Sequence, residues 1–152
     1  MITEAERRYP RRPLVGVGAL IFAGDRILMA QRGKEPLRGW WSLPGGALET
    51  GELLADAIRR EVREETGLEV EPVRVFEIFE RIMRDGVGQP EYHYVLIDYI
   101  CRVMGGELRA GDDVCHVEWM RLEELRKLGI TEGTLGVIER AFLTLRRGDP
   151  EV

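Results

Sequence analysis

Apolar residues recur along the chain with two different spacings, which predict a mixture of strands and helices. Continuous apolar runs over residues 14–22 and 26–31 predict two strands, and the turn-sized gap at Gly24-Asp25 predicts that they form a hairpin. Similar runs predict further strands over residues 70–79, 92–104 and 114–120. The chain is therefore expected to contain a sheet with at least one antiparallel pair.

Other segments have the period of a helix. Residues 52–66 contain no Gly or Pro and repeat apolar residues every four positions, and Gly67 suits the C-cap of a helix. The apolar spacing also predicts a short helix over 122–128 and another that begins at Thr131. Residues 33–51 hold too many Gly and Pro for either element and predict an ordered loop. These elements predict an α/β or α+β sandwich in which helices cover a mixed sheet.

The chain length predicts a single domain. A chain of 152 residues usually forms one domain, which we place at residues 14–148. Residues 1–13 are expected to be a flexible arm with little function, because Pro10 and Pro13 disfavour regular structure and several arginines keep the segment solvated.

Charge and composition exclude several classes of protein. The chain has 22 Lys and Arg against 27 Asp and Glu, and its net charge of −5 argues against binding of nucleic-acid polymers by charge. The longest apolar run falls far short of the ~20 residues of a membrane-spanning helix, and the N-terminal residues lack the features of a secretory signal. We therefore expect a cytoplasmic protein with no membrane partner. Cys101 and Cys115 lack the close spacing of a zinc or redox motif and are expected to be buried free thiols.

Three glutamates of the predicted 52–66 helix fall on one arc of its surface. At 100° per residue, with Glu61 at 0°, Glu64 falls at about 300° and Glu65 at about 40°. The core-facing side is marked by Leu54, Ile58 and Val62, at about 20°, 60° and 100°. The glutamates therefore overlap the apolar face, where the like-charge i,i+4 pair of Glu61 and Glu65 is unfavourable. We expect Mg²⁺ or Mn²⁺ to neutralise them, because hard divalent cations prefer carboxylate oxygen.

The same residues allow a plainer interpretation. Glu and Arg are good helix formers, and Arg60 makes ordinary i,i+4 ion pairs with Asp56 and Glu64 on a solvated flank. The preceding loop favours the metal-binding interpretation, because Gly45 and Gly46 place free backbone groups beside the helix start, where a phosphate or a metal can approach closely.

The stretch from residue 46 to residue 68, GALETGELLADAIRREVREETGL, resembles the signature of the Nudix hydrolases at every fixed position. That signature is a glycine, five residues, Glu, seven residues, Arg-Glu, an aliphatic residue, any residue, Glu-Glu, any residue, Gly and an aliphatic residue. It is filled here by Gly46, Glu52, Arg60, Glu61, Val62, Glu64, Glu65, Gly67 and Leu68. On these residues the chain is identified as a member of the Nudix family.

The resemblance implies both a fold and a reaction. The fold is an α/β/α sandwich around a mixed β-sheet. The reaction is hydrolysis of a nucleoside diphosphate linked to another group, in which water attacks the pyrophosphate while more than one Mg²⁺ or Mn²⁺ ion neutralises its charge. The implied metal ligands are Glu61, Glu64, Glu65 and the carbonyl of Gly46. Arg60 is implied to orient these glutamates by ion pairing.

Two further acids have roles that the resemblance leaves less defined. Glu52 is expected to support the loop and to bond near Arg60, since it falls at about 180° on the wheel, away from the other glutamates. The general base lies in this family either among the signature glutamates or on a later loop, where Asp113 is the candidate and Asp112 the alternate. Paired acids before a strand are equally typical of a solvated turn. Glu64 is the residue whose loss is expected to lower activity most.

Candidate substrate contacts lie upstream of the helix. Arg32 follows the second strand and is placed to meet a diphosphate bidentately or to form an exposed salt bridge. Trp41, in the segment GWWSLPGG, is suited to stack on a base or to pack against the helix, and Gly45 is expected beside the substrate. Gly16 and Gly18 share one face of a strand, where missing side chains leave room for a ligand or for tight packing.

The expected substrate is ADP-ribose or a related nucleotide sugar. The segments GWWSLPGG and VEWMRLEEL resemble the bacterial group of ADP-ribose pyrophosphatases. The alternative is a (deoxy)nucleoside triphosphate pyrophosphohydrolase that cleanses the nucleotide pool. A remoter alternative, a nucleotide-sensing module without catalysis, conflicts with the intact glutamates. The family resemblance also allows a homodimer.

Overall fold

The computed structural model describes residues 2–148, which form seven strands and four helices. In chain order these are α1 (Glu4–Arg7), β1 (Leu14–Ala23), β2 (Arg26–Arg32), β3 (Trp41–Ser42), β4 (Gly45–Ala47), α2 (Leu54–Thr66), β5 (Leu68–Arg84), β6 (Pro90–Gly106), β7 (Val114–Arg121), α3 (Leu122–Leu125) and α4 (Thr134–Arg146). Within these described residues, no helix has the length and apolar character needed to span a bilayer.

The strands form a mixed sheet centred on β1. β6 runs parallel to β1 and pairs antiparallel with β5, while β4 lies antiparallel along the other edge of β1. β2 follows β1 through the predicted hairpin, with Phe22 opposite Ile27, and pairs with both β3 and β7. The register of the parallel pair sets Gly18 beside Asp98.

β1 is buried on both faces, which explains its continuous apolar sequence. Val17 lies in one hydrophobic core with Ile58 and Val62 of α2. Leu20 lies in a second core with Ile138 of α4. Each fully buried aliphatic side chain of this kind stabilises the fold by about 1.5–3 kcal/mol. Helices therefore cover both sides of the sheet, and the predicted α/β/α sandwich is confirmed.

The helix that carries the glutamates begins two residues later than predicted. Residues 49–52 form a turn instead, in which the Glu52 amide donates to the Glu49 carbonyl (3.0 Å) and the Glu52 carboxylate accepts from the Glu49 amide (3.2 Å). The helix ends where Gly67 adopts a φ of 75°, a conformation that favours glycine. The predicted loop over 33–51 contains the two short strands β3 and β4.

Several other elements differ in length from their predictions. β5 and β6 pair from Leu68 opposite Gly106 to Arg84 opposite Pro90, because alternating polar residues extend both strands beyond their apolar centres. The predicted helix over 122–128 is confined to α3. The last helix begins at Thr134, since its amide donates to the Thr131 carbonyl in a preceding turn.

The N-terminal arm is not irregular throughout. The Thr3 hydroxyl accepts from the Glu6 amide (3.3 Å) and the Glu6 carboxylate accepts from the Thr3 amide (2.7 Å), which forms a capping box around α1. The Tyr9 amide donates to the Glu91 carbonyl at 2.7 Å. The expectation that 1–13 lack regular structure is therefore wrong for α1, which ends before the first proline. The flexibility of the arm stays a prediction.

The two cysteines occupy different environments. Cys101 is buried, and burial raises the pKa of its thiol to about 12. Cys115 is exposed on β7, with its sulfur 3.4 Å from Oε1 of Gln31. The prediction of buried free thiols is confirmed for Cys101 and wrong for Cys115, which lies where the pairing of β7 with β2 shifts register between Gln31 and Arg32.

Candidate active site

A cavity of about 470 Å³ lies where the arm, the loop before α2, and the strands β1, β5 and β6 meet. This volume is typical of sites for small molecules. Of the residues predicted for the site, the cavity is lined by Arg32, Gly45, Gly46, Arg60, Glu61, Glu64, Glu65 and Asp113. The fold thus brings together residues from four separate segments of the chain.

Glu61 is the most buried of the signature glutamates. Its side chain is 12% exposed, and its Oε1 lies 2.7 Å from Nη1 of Arg60. Burial raises the pKa of Glu61, and the charge of Glu64 adds to this rise, while Arg60 opposes it. A side chain at Gly46 would collide with the Glu61 carboxyl, so this glycine lets the acid lie directly against the β4 backbone.

Glu65 lies one turn further along α2 and is half-buried. Its Oε2 accepts a hydrogen bond from the Gly45 amide at 3.0 Å. Burial, followed by the negative charge of Glu61, raises the pKa of Glu65 well above its usual value. The cavity therefore contains two acidic groups that are costly to ionise together.

Arg60 links the acids of this region. Its Nε lies 2.7 Å from Oε2 of Glu52, and its Nη2 donates to the Ala47 carbonyl at 3.1 Å. On its other side it contacts Glu61, and it lies 3.5 Å from Oε2 of Glu64. Glu52 therefore fixes the position of Arg60 on one side. On the other side, Arg60 fixes the carboxylate of Glu61 at the cavity.

The oxygen donors here suit a hard divalent cation. Mg²⁺ is commonly held by one or two carboxylates with several retained waters, and Glu61, Glu65 and the Gly46 carbonyl provide donors of this kind. A cation would also relieve the repulsion between the two acids. In the part of the chain that the structure describes, no three His, Cys, Asp or Glu side chains converge closely enough to hold an ion by themselves. Arg60 and the Gly45 amide hold Glu61 and Glu65 in their present positions.

The loop before β7 places its two acids differently. Asp113 forms an ion pair with Lys34, with 2.5 Å between Nζ and Oδ1. Asp112 acts electrostatically on the signature, since its charge contributes to the raised pKa of both Glu61 and Glu65. Both acids line the cavity.

The three candidate substrate contacts lie in different surroundings, and only two of them line the cavity. Arg32 lines the cavity while its Nε donates to the Pro36 carbonyl at 2.8 Å. Gly45 lines the cavity too, but its amide is occupied by Glu65. Trp41 is 8% exposed in the core that α4 covers, and its ring meets the edge of His116 with centroids 5.6 Å apart. The structure thus corrects the expected substrate contact of Trp41, which packs in the core because its strand pairs on both sides.

The cavity lining also includes residues that the motif did not indicate, among them Arg7, Arg81, Tyr94 and Asp98. Burial raises the pKa of Tyr94, and the positive charges of Arg7, Arg32 and Arg81 oppose that rise. Three arginines from the arm, β2 and β5 therefore gather around one half-buried ring. The only sequence signal for any of these four was Asp98, a lone acid within an apolar strand.

Comparisons with known proteins agree with this geometry. The sequence profile of the NUDIX domain matches residues 12–141. An ADP-ribose pyrophosphatase of Methanocaldococcus jannaschii is 38% identical over 116 residues, which are 76% of this chain and 66% of that protein. The chain thus spans just under two thirds of the length of that relative.

Two further proteins are matched by this chain over most of their own length. The nucleoside triphosphatase NudI of an Enterobacter strain is 31% identical over 113 residues, which are 70% of this chain and 78% of that protein. The crystal structure of a MutT NUDIX hydrolase from Burkholderia pseudomallei superposes with a TM-score of 0.75 at 29% identity, and covers 85% of this chain and 98% of that one.

Proposed function

The chain belongs to the Nudix family, and we propose that it is a pyrophosphohydrolase that cleaves a nucleoside diphosphate linked to another group. The observation that carries this proposal is the position of the signature glutamates. Glu61, Glu64 and Glu65 line one cavity of a size suited to a nucleotide, and Arg60 and Glu52 support them from behind.

Divalent cations complete the site in this proposal. Glu61, Glu65 and the Gly46 carbonyl would hold Mg²⁺ or Mn²⁺, and the more exposed Glu64 would join them or bind a second ion. Such ions neutralise the negative charge of a diphosphate and so allow it to approach an acidic site. The raised pKa of Glu65 supports this arrangement, since the acid lacks a cationic side chain within ion-pair distance among the described residues.

Arginines of the cavity supply positive charge that complements an anionic substrate. Arg7, Arg32 and Arg81 line the same cavity as Tyr94 and the glutamates. A guanidinium group binds phosphate oxygens more strongly than a neutral donor does. We propose that Arg7 and Arg32 contact the anionic part of the substrate. Arg81 is less available, because its guanidinium already donates to Thr131 and Thr134.

Hydrolysis then proceeds by attack of water on one phosphorus of the anhydride. The bridging P–O bond breaks, the two products leave as phosphate monoesters, and the proton of the water passes to a carboxylate. Asp112 and Asp113 are the candidates on the loop before β7. The ion pair with Lys34 occupies the carboxylate of Asp113, so we take Asp112 as the base.

Asparagine variants test which of these two acids is the general base. Loss of the base is expected to lower kcat by about 100-fold or more and to remove the acidic limb of the pH–rate profile. We expect this for Asp112→Asn and a change within about threefold for Asp113→Asn. The reverse order would assign the role to Asp113, and two active variants would place the base among the signature glutamates.

The proposed substrate is ADP-ribose or a related nucleotide sugar. It is supported by the identity to the archaeal ADP-ribose pyrophosphatase. The similarity to NudI favours a nucleoside triphosphate as the second candidate. A homodimer, which the family resemblance allows, stays a prediction.

A substrate panel tests the proposal. The purified protein is incubated with ADP-ribose, UDP-sugars, dinucleoside polyphosphates, dNTPs and oxidised dNTPs, with Mg²⁺, Mn²⁺ or a chelator, and kcat/KM is compared. We expect a nucleoside monophosphate to be released only with metal, with ADP-ribose or a nucleotide sugar favoured by about tenfold or more. Preference for dNTPs would support the second candidate. No hydrolysis of any substrate would contradict enzymatic function.

A further inference from the structure

Asp98 is a buried acid that the proposed reaction does not use. It lies on β6, is 3% exposed and lines the cavity. Its Oδ2 has no hydrogen-bond partner among residues 2–148. A carboxyl group buried without a partner destabilises a fold, so its position calls for a physical reason.

Its charged neighbours do not pair with it. Arg81 is the nearby cation, but its guanidinium donates to the Thr131 hydroxyl (3.2 Å), the Thr134 hydroxyl (2.9 Å) and the Glu132 carbonyl (3.0 Å). Burial raises the pKa of Asp98 to about 7, although the charge of Arg81 acts in the opposite direction. At neutral pH the carboxyl is therefore protonated in a large fraction of molecules, and offers one donor and one acceptor side by side.

The strand register places this group beside the proposed reaction site. Asp98 is opposite Gly18 on β1, and Gly18 is opposite Gly45 on β4, whose amide holds Glu65. Two strand spacings, about 10 Å in all, therefore separate the backbones of Asp98 and Gly45. A side chain at Gly18 would collide with Oδ1 of Asp98, so the carboxyl lies over Gly18 of β1.

The cavity around Asp98 has apolar sides. Leu43 is buried, Leu96 leans over Gly16, and the ring of Phe79 lies under the guanidinium of Arg81 at 5.5 Å. All of them line the cavity. Apolar walls around a few polar groups are typical of sites that bind small molecules.

We propose that Asp98 hydrogen-bonds the edge of the substrate's nucleobase, and so is a specificity-determining residue about one nucleoside's length from the glutamates. This inference rests on the proposed nucleotide-cleaving function. The Watson–Crick edge of a base carries an adjacent donor and acceptor, as in the N6 amino group and N1 of adenine, which a protonated carboxyl matches. The carboxamide of Asn has the same pair, whereas Leu fills the volume without either group.

The test compares the wild-type protein, Asp98→Asn and Asp98→Leu with ADP-ribose and its N6,N6-dimethyladenine counterpart, in which the donor is blocked. We expect Asp98→Leu to raise KM for ADP-ribose by about tenfold or more with little change in kcat. The same variant should leave KM for the dimethylated compound within about threefold, and Asp98→Asn should stay near wild type with both.

Two results would overturn the proposal. In one, the wild-type protein shows the same KM for both compounds, a measurement that does not depend on the folding of any variant. In the other, Asp98→Leu raises both KM values equally, which would indicate a purely structural role. If the wild-type protein cleaves neither compound, ADP-ribose is not its substrate, and calorimetric binding of the two compounds to the same proteins then decides the role of Asp98 separately.

Discussion

Replacing Asp98 by Asn should change how the stability of the protein depends on pH. An acid whose pKa is higher in the folded state than in the unfolded state binds its proton more tightly when folded. The folded state is therefore favoured at low pH, and this advantage is lost as the pH rises from the unfolded pKa to the folded pKa. For Asp98 these limits are 3.8 and about 7.

The magnitude follows from the two pKa values. Their difference of about 3.2 units, at 1.36 kcal/mol per unit, corresponds to about 4 kcal/mol over the whole window. About 2.6 kcal/mol of this falls between pH 5 and pH 8, since the unfolded acid is already largely ionised at pH 5. Asn does not titrate, so the variant lacks this contribution.

The assay is urea denaturation of both proteins at pH 5, 6, 7 and 8, with a chelator and without nucleotide. The other charges near Asp98, Arg81 and Glu77, are present in both proteins, so their effects largely cancel in the difference. We expect the free energy of unfolding of Asp98→Asn to rise relative to wild type by about 2.6 kcal/mol from pH 5 to pH 8. Curves that stay parallel would refute the reasoning, because they would show that Asp98 is ionised in the folded protein.

Three further predictions concern the rest of the site. Glu64→Gln is expected to lower kcat by about 100-fold or more while the protein stays folded, and the exposed Glu69→Gln serves as its control in the same assay. Arg7→Gln is expected to raise KM by about tenfold, whereas Arg11→Gln, outside the cavity, should leave it unchanged in steady-state kinetics. Trp41→Ala should lower the free energy of unfolding by about 3–5 kcal/mol in urea denaturation, and a selective loss of substrate binding instead would contradict its place in the core.

Sequence patterns predicted those parts of the molecule that depend on local spacing. The helical wheel put Glu61 and Glu65 on one arc because an i,i+4 relation is fixed by the geometry of the helix itself. The apolar run of β1 likewise predicted a strand, and its burial between two helices explains why no polar residue interrupts it.

Contacts across long stretches of chain could not be predicted in this way. Arg7 reaches the cavity because Tyr9 is anchored at Glu91, more than 80 residues away, and no local period encodes such a contact. The role of Trp41 depended on whether β3 would pair on both sides, which only the fold decides. Asp98 was visible as an acid in an apolar strand, but its lack of a partner depends on where the donors of Arg81 point.

The two glycines that lie directly against acidic side chains also constrain how the site can change. At Gly18 and Gly46 a methyl group would displace a particular neighbour, the carboxyl of Asp98 in one case and that of Glu61 in the other. Each glycine and its acid therefore form a coupled pair of positions. A homologue that bears a larger residue at one member of a pair is expected to bear a smaller or retracted residue at the other, so substrate preference in such proteins would shift by paired substitutions.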